Sequence, residues 1–224
     1  MRLQECLLLP SGLGKRLSNN KTMKTSFNHL RVFAVAGVAS FIMQAAPLAQ
    51  AALGAADVSR VNGASSATLA TTVASMISAV PAASREQLAK DIAAHIARNR
   101  SGLAPQAIAA MVKLIPNSAA AVVSAAVQAN RNVTFNVVYA VAKELPAQAA
   151  PVAAAVAQVN NALATIAAQA AAKGAPAYAD AITQQVTAAA PALAAAIAAA
   201  VIAGVASAEP PPVTGGNPIV NSVS

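Results

Sequence analysis

From Thr72 to Ala206 the apolar positions recur with a period of 15 residues, through nine units without insertion or deletion. Three successive units read GLAPQAIAAMVKLIP, NSAAAVVSAAVQANR and NVTFNVVYAVAKELP. The third position of a unit is Ala in eight of the nine, with Thr134 the exception. The sixth is Ile77, Ile92, Ala107, Val122, Val137, Val152, Ala167, Ile182 and Ile197. The tenth is apolar in eight units, including Ile96, Met111, Val141, Val156, Val186 and Val201, and Pro81 is the exception. A spacing of i, i+3, i+7 places these side chains on one face of an α-helix. Each unit therefore predicts one helix of about 11–12 residues, roughly 17 Å long, and then a short turn.

Punctuation agrees with that reading. Pro116, Pro146 and Pro176 stand 30 residues apart, and Pro191 follows 15 later. Asn117 and Asn132 are placed to cap the next helix, and Gly174 with Pro176 to stop one. Arg98, Lys113, Lys143 and Lys173 share the twelfth position, in the last helical turn, where a cation opposes the negative end of the helix dipole. The intervening units carry Gln128 and Gln158 there, so the larger repeat is a 30-residue hairpin of two unlike helices.

Helices this short are not stable alone in water, and links this short make successive helices antiparallel neighbours. The expected fold is all-α: short antiparallel Ala-rich helices stacked as an α-solenoid or helical bundle over residues 72–206. Residues 52–71, small and aperiodic, read as a flexible linker. Residues 207–224, with four prolines and a Gly-Gly pair, read as a disordered tail.

The N-terminal pattern is of another kind. Lys24 and Arg31 precede an uncharged, mostly apolar run of 12 residues, Val32–Met43, and Ala49 and Ala51 put small side chains at −3 and −1 of a cut before Ala52. Residues 23–51 thus read as a signal peptide, and the run is short for the ~20 residues of a membrane span. Residues 1–22 lengthen the basic region beyond that pattern and read as an over-extended start upstream of Met23.

Composition refines this picture. The chain holds 64 alanines among 224 residues and is 57% hydrophobic, too apolar for a disordered polyelectrolyte. One cysteine, Cys6, excludes a disulfide framework and a Cys-rich metal module. The net charge of +8 suggests nucleic acid until it is divided. Residues 1–51 hold six Lys/Arg and one acid, for +5; residues 52–224 hold nine and six, for +3. Most of the basicity belongs to the leader, and no nucleic-acid partner is expected.

Candidate chemistry is sparse. Asp91 and His95 are four residues apart and read as a helix-surface ion pair, because a metal needs three or four ligands. No nucleophile, phosphate or dinucleotide motif is present, and neither enzymatic activity nor a cofactor is expected. Phe135 and Tyr139 read as the largest packing unit in a small-residue core, and Asn132-Val133-Thr134 is a formal glycosylation sequon. The row Lys113, Lys143, Lys173 reads as dipole matching, or as a basic rim for an acidic polymer. Irregular Thr134, Thr165, Thr183 and Thr187 do not make an ice-binding face. Residues 181–208 carry no charge for 28 positions, but Gln184, Gln185 and Pro191 interrupt them and the repeat runs through unchanged.

The expectation is an exported, non-enzymatic α-helical repeat protein, a structural or binding scaffold of the periplasm, cell envelope or extracellular space. Its partner would be an envelope or extracellular protein or polymer, or a second copy. The alternative is a membrane-associated envelope protein anchored through 181–208.

Overall fold

From α4 to α9 the 15-residue repeat folds as eleven residues of α-helix, one link residue and three residues of 3-10 helix. The computed structural model describes residues 53–208. The over-extended start expected at 1–22, the signal peptide expected at 23–51 with its cut before Ala52, and the expected tail beyond Ala208 lie outside them. Ten α-helices follow one another: α1 Ala55–Gly63, α2 Leu69–Ala79, α3 Ala82–Asn99, α4 Ala104–Leu114, α5 Ala119–Ala129, α6 Thr134–Glu144, α7 Ala149–Val159, α8 Ala164–Gly174, α9 Ala179–Ala189 and α10 Ala194–Ala206. From α4 onward every helix starts at the third position of its unit, behind a 3-10 turn such as Pro116–Ser118 or Arg131–Val133.

Two kinds of link alternate up to α8. Ile115, Leu145 and Ala175 end α4, α6 and α8 at φ −131° to −138° and ψ 60° to 71°, and each precedes a proline. Proline at the first position of the new turn has no N–H to leave unpaired. Asn130 and Asn160 end α5 and α7 at more extended ψ, 106° and 107°, and no proline follows. There the Asn Oδ1 accepts from the backbone N–H of Asn132 or Ala162, 3.0 Å away. The caps are therefore Asn130 and Asn160, not the expected Asn117 and Asn132. Because the 3-10 turn runs straight into the α-helix, the first unpaired donors lie at the turn, and the capping position moves ahead of it.

Packing follows the repeat. Helices α2, α4, α6, α8 and α10 form one row, α3, α5, α7 and α9 a second, and within each row the closest partner of a helix is the one two places along the chain. All nine sixth-position residues, Ile77 to Ile197, are fully buried, as are the tenth-position residues from Ile96 to Val186. Positions seven and eleven are also buried in the interior units, for example Ile108 and Val112, Val123 and Val127, Val138 and Ala142, Ala168 and Ala172. The buried stripe is thus wider than positions 3, 6 and 10 alone.

Small residues set the row spacing. Gly174 of α8 lies against α6, where an added Cβ would stand 2.8 Å from the Ala142 Cβ and 2.8 Å from the Tyr139 carbonyl oxygen. Gly204 of α10 repeats this against α8, meeting Gln169, Ala172 and Lys173. Gly174 does close α8, as expected, but its missing side chain serves the approach of two helices.

The first units depart from the phase. Pro81 occupies a tenth position, where it cannot continue a helix. Accordingly α2 ends at Ala79, Val80 is extended, and α3 restarts at Ala82 and runs unbroken into the next unit. The linker expected at 52–71 is also corrected. It contains α1 and the first turn of α2, with Val61 and Leu69 buried. The Arg100 guanidinium donates to the Val61 carbonyl, and Ser65 and Thr68 close the intervening turn by mutual side-chain and backbone bonds. One buried valine and a long-range arginine order a segment that shows no period of its own.

Residues 181–208 are not one helix. Pro191–Leu193 divides them into parts of α9 and α10, and no helix among the described residues is long and apolar enough to cross a membrane. Helix α10 spans about 20 Å, short of the ~30 Å hydrocarbon layer.

Candidate functional site

The lysine row and the open end of the helical array are the two places where the repeat presents chemistry. Lys113, Lys143 and Lys173 occupy the same position on α4, α6 and α8, neighbours in one row. They are not three equivalent ammonium groups. Lys113 pairs with Glu144 of the next helix in the row, both side chains about half exposed (52% and 43%). The Lys173 Nζ lies over the rings of Phe135 and Tyr139, 6.0 and 5.5 Å from their centroids. Lys143 is exposed. The row is thus a set of local environments rather than one uniform basic edge, with Lys113 ion-paired, Lys173 over two rings and Lys143 exposed.

The two aromatic residues do not form the core. Phe135 and Tyr139 are half-buried at its edge, beneath Lys173. The largest fully buried side chains are Leu69, Ile77, Ile92, Ile96, Ile108 and Met111 at one end, with Ile182 and Ile197 at the other. Tightly spaced alanine rows leave no interior volume for a ring.

Asp91 and His95 likewise do not pair with each other. Asp91 accepts from the Gln87 side chain at 3.0 Å. The Asn99 amide lies 3.2 Å from His95 Nδ1, and Asn62 Oδ1 lies 2.9 Å from Nε2. Both ring nitrogens are held by side-chain amides. His95 thus ties α3 to α1. Among the described residues no group of three His, Cys, Asp or Glu is placed to hold a metal ion. Asn132 of the sequon is exposed, while Thr134 is buried and its hydroxyl donates to the Arg131 carbonyl at 2.6 Å.

The last units, expected from the sequence to cover a partner or a second copy, form an open end. In the interior units, positions seven and eleven of a helix are covered by the helix two places further on. Helices α9 and α10 have no such successor among the described residues. Their position-seven and position-eleven residues are Thr183, Thr187, Ala198 and Ile202, and Ile202 is 70% exposed. A hollow of about 450 Å³ opens between the two helices, lined by Ala179, Asp180, Thr183, Val201, Ile202 and Val205. Thirty residues earlier the same six places are Ala149, Ala150, Ala153, Ala171, Ala172 and Ala175, all buried.

The two sides of the hollow differ in chemistry. On α9 the alanines have become Asp180 and Thr183, a polar edge. On α10 they have become Ile202 and Val205, and α10 carries no polar side chain anywhere. Polar residues at covered positions of the repeat were the sequence signal for an uncovered end.

The chain matches no protein-family model, no curated protein and no solved structure.

Proposed function

We propose that the protein is an exported, non-enzymatic scaffold of the cell envelope or extracellular space, acting by presenting a rigid helical array to another macromolecule. The observation that carries this reading is the repetition itself. The Gly174 contact recurs thirty residues on at Gly204, so successive hairpins dock alike and give a continuous, regular surface, which is how helical repeat proteins bind extended partners. The basic, apolar and small-residue order of 23–51 supports export.

N-terminal sequencing of the mature protein and its cell fraction test the reading together. The expected result is a chain beginning at Ala52 in the periplasm or medium, released by salt. A cytosolic protein that retains residues 23–51 overturns it.

A second reading, association with the envelope membrane, is favoured by the wholly apolar α10. With a helix of about 20 Å the contact would be peripheral, and carbonate extraction would release the protein.

A further inference from the structure

We propose that the open end is a self-association surface: two copies meet α10 against α10, and Ile202 of each fills the hollow between α9 and α10 of the other. This goes beyond the scaffold reading and is tested separately, since mass in solution reads the one and cell location the other.

A helix apolar on every side is a buried helix. In α10 one side is already spent on α8 through Gly204, and another faces the second row through Ile197 and Val201. What remains, Ala195, Ala199, Ile202 and Ala203, is exposed. A membrane core is an unsuitable cover, because α10 is shorter than the layer it would cross.

The repeat itself shows what covers this stripe. On α6 the stripe Val138 and Ala142 receives α8, with Gly174 at the contact, and on α8 the stripe Ala168 and Ala172 receives α10, with Gly204 there. In each case the occupant is an alanine-rich helix that brings small residues to the seam. The 15-residue pattern ends at Ala206, and Pro210, Pro211 and Pro212 follow in the sequence, where proline interrupts a helix. A second copy provides such a helix.

Charge points the same way. Helix α10 has no ionisable group, so two copies bring no like charges face to face along it. Among the described residues the charged group lining the hollow is Asp180, exposed on its polar edge. A surface that is its own complement closes as a two-fold dimer and leaves no free end to propagate.

Sedimentation equilibrium of the full-length chain, over a roughly hundredfold range of concentration, tests the proposal. The expected result is twice the chain mass at the upper end, falling to one on dilution. Ile202→Glu abolishes the dimer while the helical circular dichroism stays unchanged, and Lys143→Glu, at the lysine row, does not alter the mass. Should Ile202→Glu lose helicity, Ala199→Glu, on the exposed side of α10, carries the test in its place.

A dimer that survives both glutamate variants overturns the proposal, and shows the association to come from elsewhere, such as the apolar run 32–43. A chain ended at Ala208 is expected to dimerise as the full chain does. If only the shortened chain dimerises, the segment 209–224 covers the end and the proposal fails. It fails also if the wild type stays monomeric throughout, whether or not it binds phosphatidylcholine vesicles in an Ile202-dependent way.

Discussion

The side-chain amide of Asn130 donates to the carbonyl of Ala97 at 2.8 Å, across 33 residues of chain. With its Oδ1 accepting from Asn132 N–H, it caps one turn and ties that turn to α3. Asn130→Asp keeps the acceptor, removes the donor and sets a carboxylate against a carbonyl. We expect a loss of about 1–3 kcal/mol in urea unfolding. Among the described residues Asn160 makes only the cap bond, so Asn160→Asp should be close to neutral and Asn160→Ala should cost about 1 kcal/mol. Equal effects of the two aspartates would remove the bridge to Ala97 from the account.

Glycine substitutions should divide by contact rather than by helix propensity. Within a helix Gly→Ala gains up to about 1 kcal/mol. At Gly174 and Gly204 the new methyl would press on backbone of the neighbouring helix, which cannot turn aside as a side chain does. The net expectation is a loss of about 1–3 kcal/mol at each. Nothing lies within 4 Å of an added Cβ at Gly102, and Gly102→Ala should stabilise by about 0.4–1 kcal/mol. Thermal melts of the three variants decide the matter, and stabilisation at Gly204 would contradict the packing described.

One inserted residue should matter more inside a helix than at a link. After Pro146 it lengthens a 3-10 turn, whereas after Val152 it rotates the rest of α7 by about 100° and carries Val156 and Ala157 out of the buried stripe. The urea midpoint should fall further for the second insertion. Equal losses at the two sites would count against the assigned phase.

The lysines should be weak contributors to stability, and unequal ones. Lys113 and Glu144 are half exposed, so a double-mutant cycle should give at most about 1 kcal/mol, less in high salt. Lys173→Ala loses its position over Tyr139 and Phe135, worth about 0.5–1 kcal/mol and insensitive to Glu144→Gln. Lys143→Ala should leave stability unchanged. A larger cost at Lys143 than at Lys173 would mean that the row acts as a unit.

Much of the fold was legible because alanine-rich units of constant size let few features carry the signal. The sixth-position Ile and Val residues marked the buried stripe, and Pro116, Pro146 and Pro176 marked alternate links. Other features left no local trace. Alanine faces look alike on all sides, so the sequence did not show that a helix packs chiefly on the one two places along. Helix α1 is ordered through contacts from Arg100 and His95, more than 30 residues away. The Asn130 cap was missed because the 3-10 turn shifts the helix entry ahead of Asn132. At the candidate site the lysines were visible, but Glu144 and the two rings beneath Lys173 lie a helix away from their partners. The open end became visible only once interior and terminal units could be compared place by place.

Each link joins units of equal size, and the two link types alternate from α4 to α8, so the array can change in steps of one hairpin. Joining Ser118 directly to Ala149 would remove α5 and α6 and leave α7 entering from a proline-type turn, as α5 now does. Each such step alters a row by about one interhelical spacing, 8–10 Å, and creates no new kind of seam. The described array is built in thirty-residue divisions, so copying or losing one segment of gene changes its length by a whole hairpin without redesigning a surface.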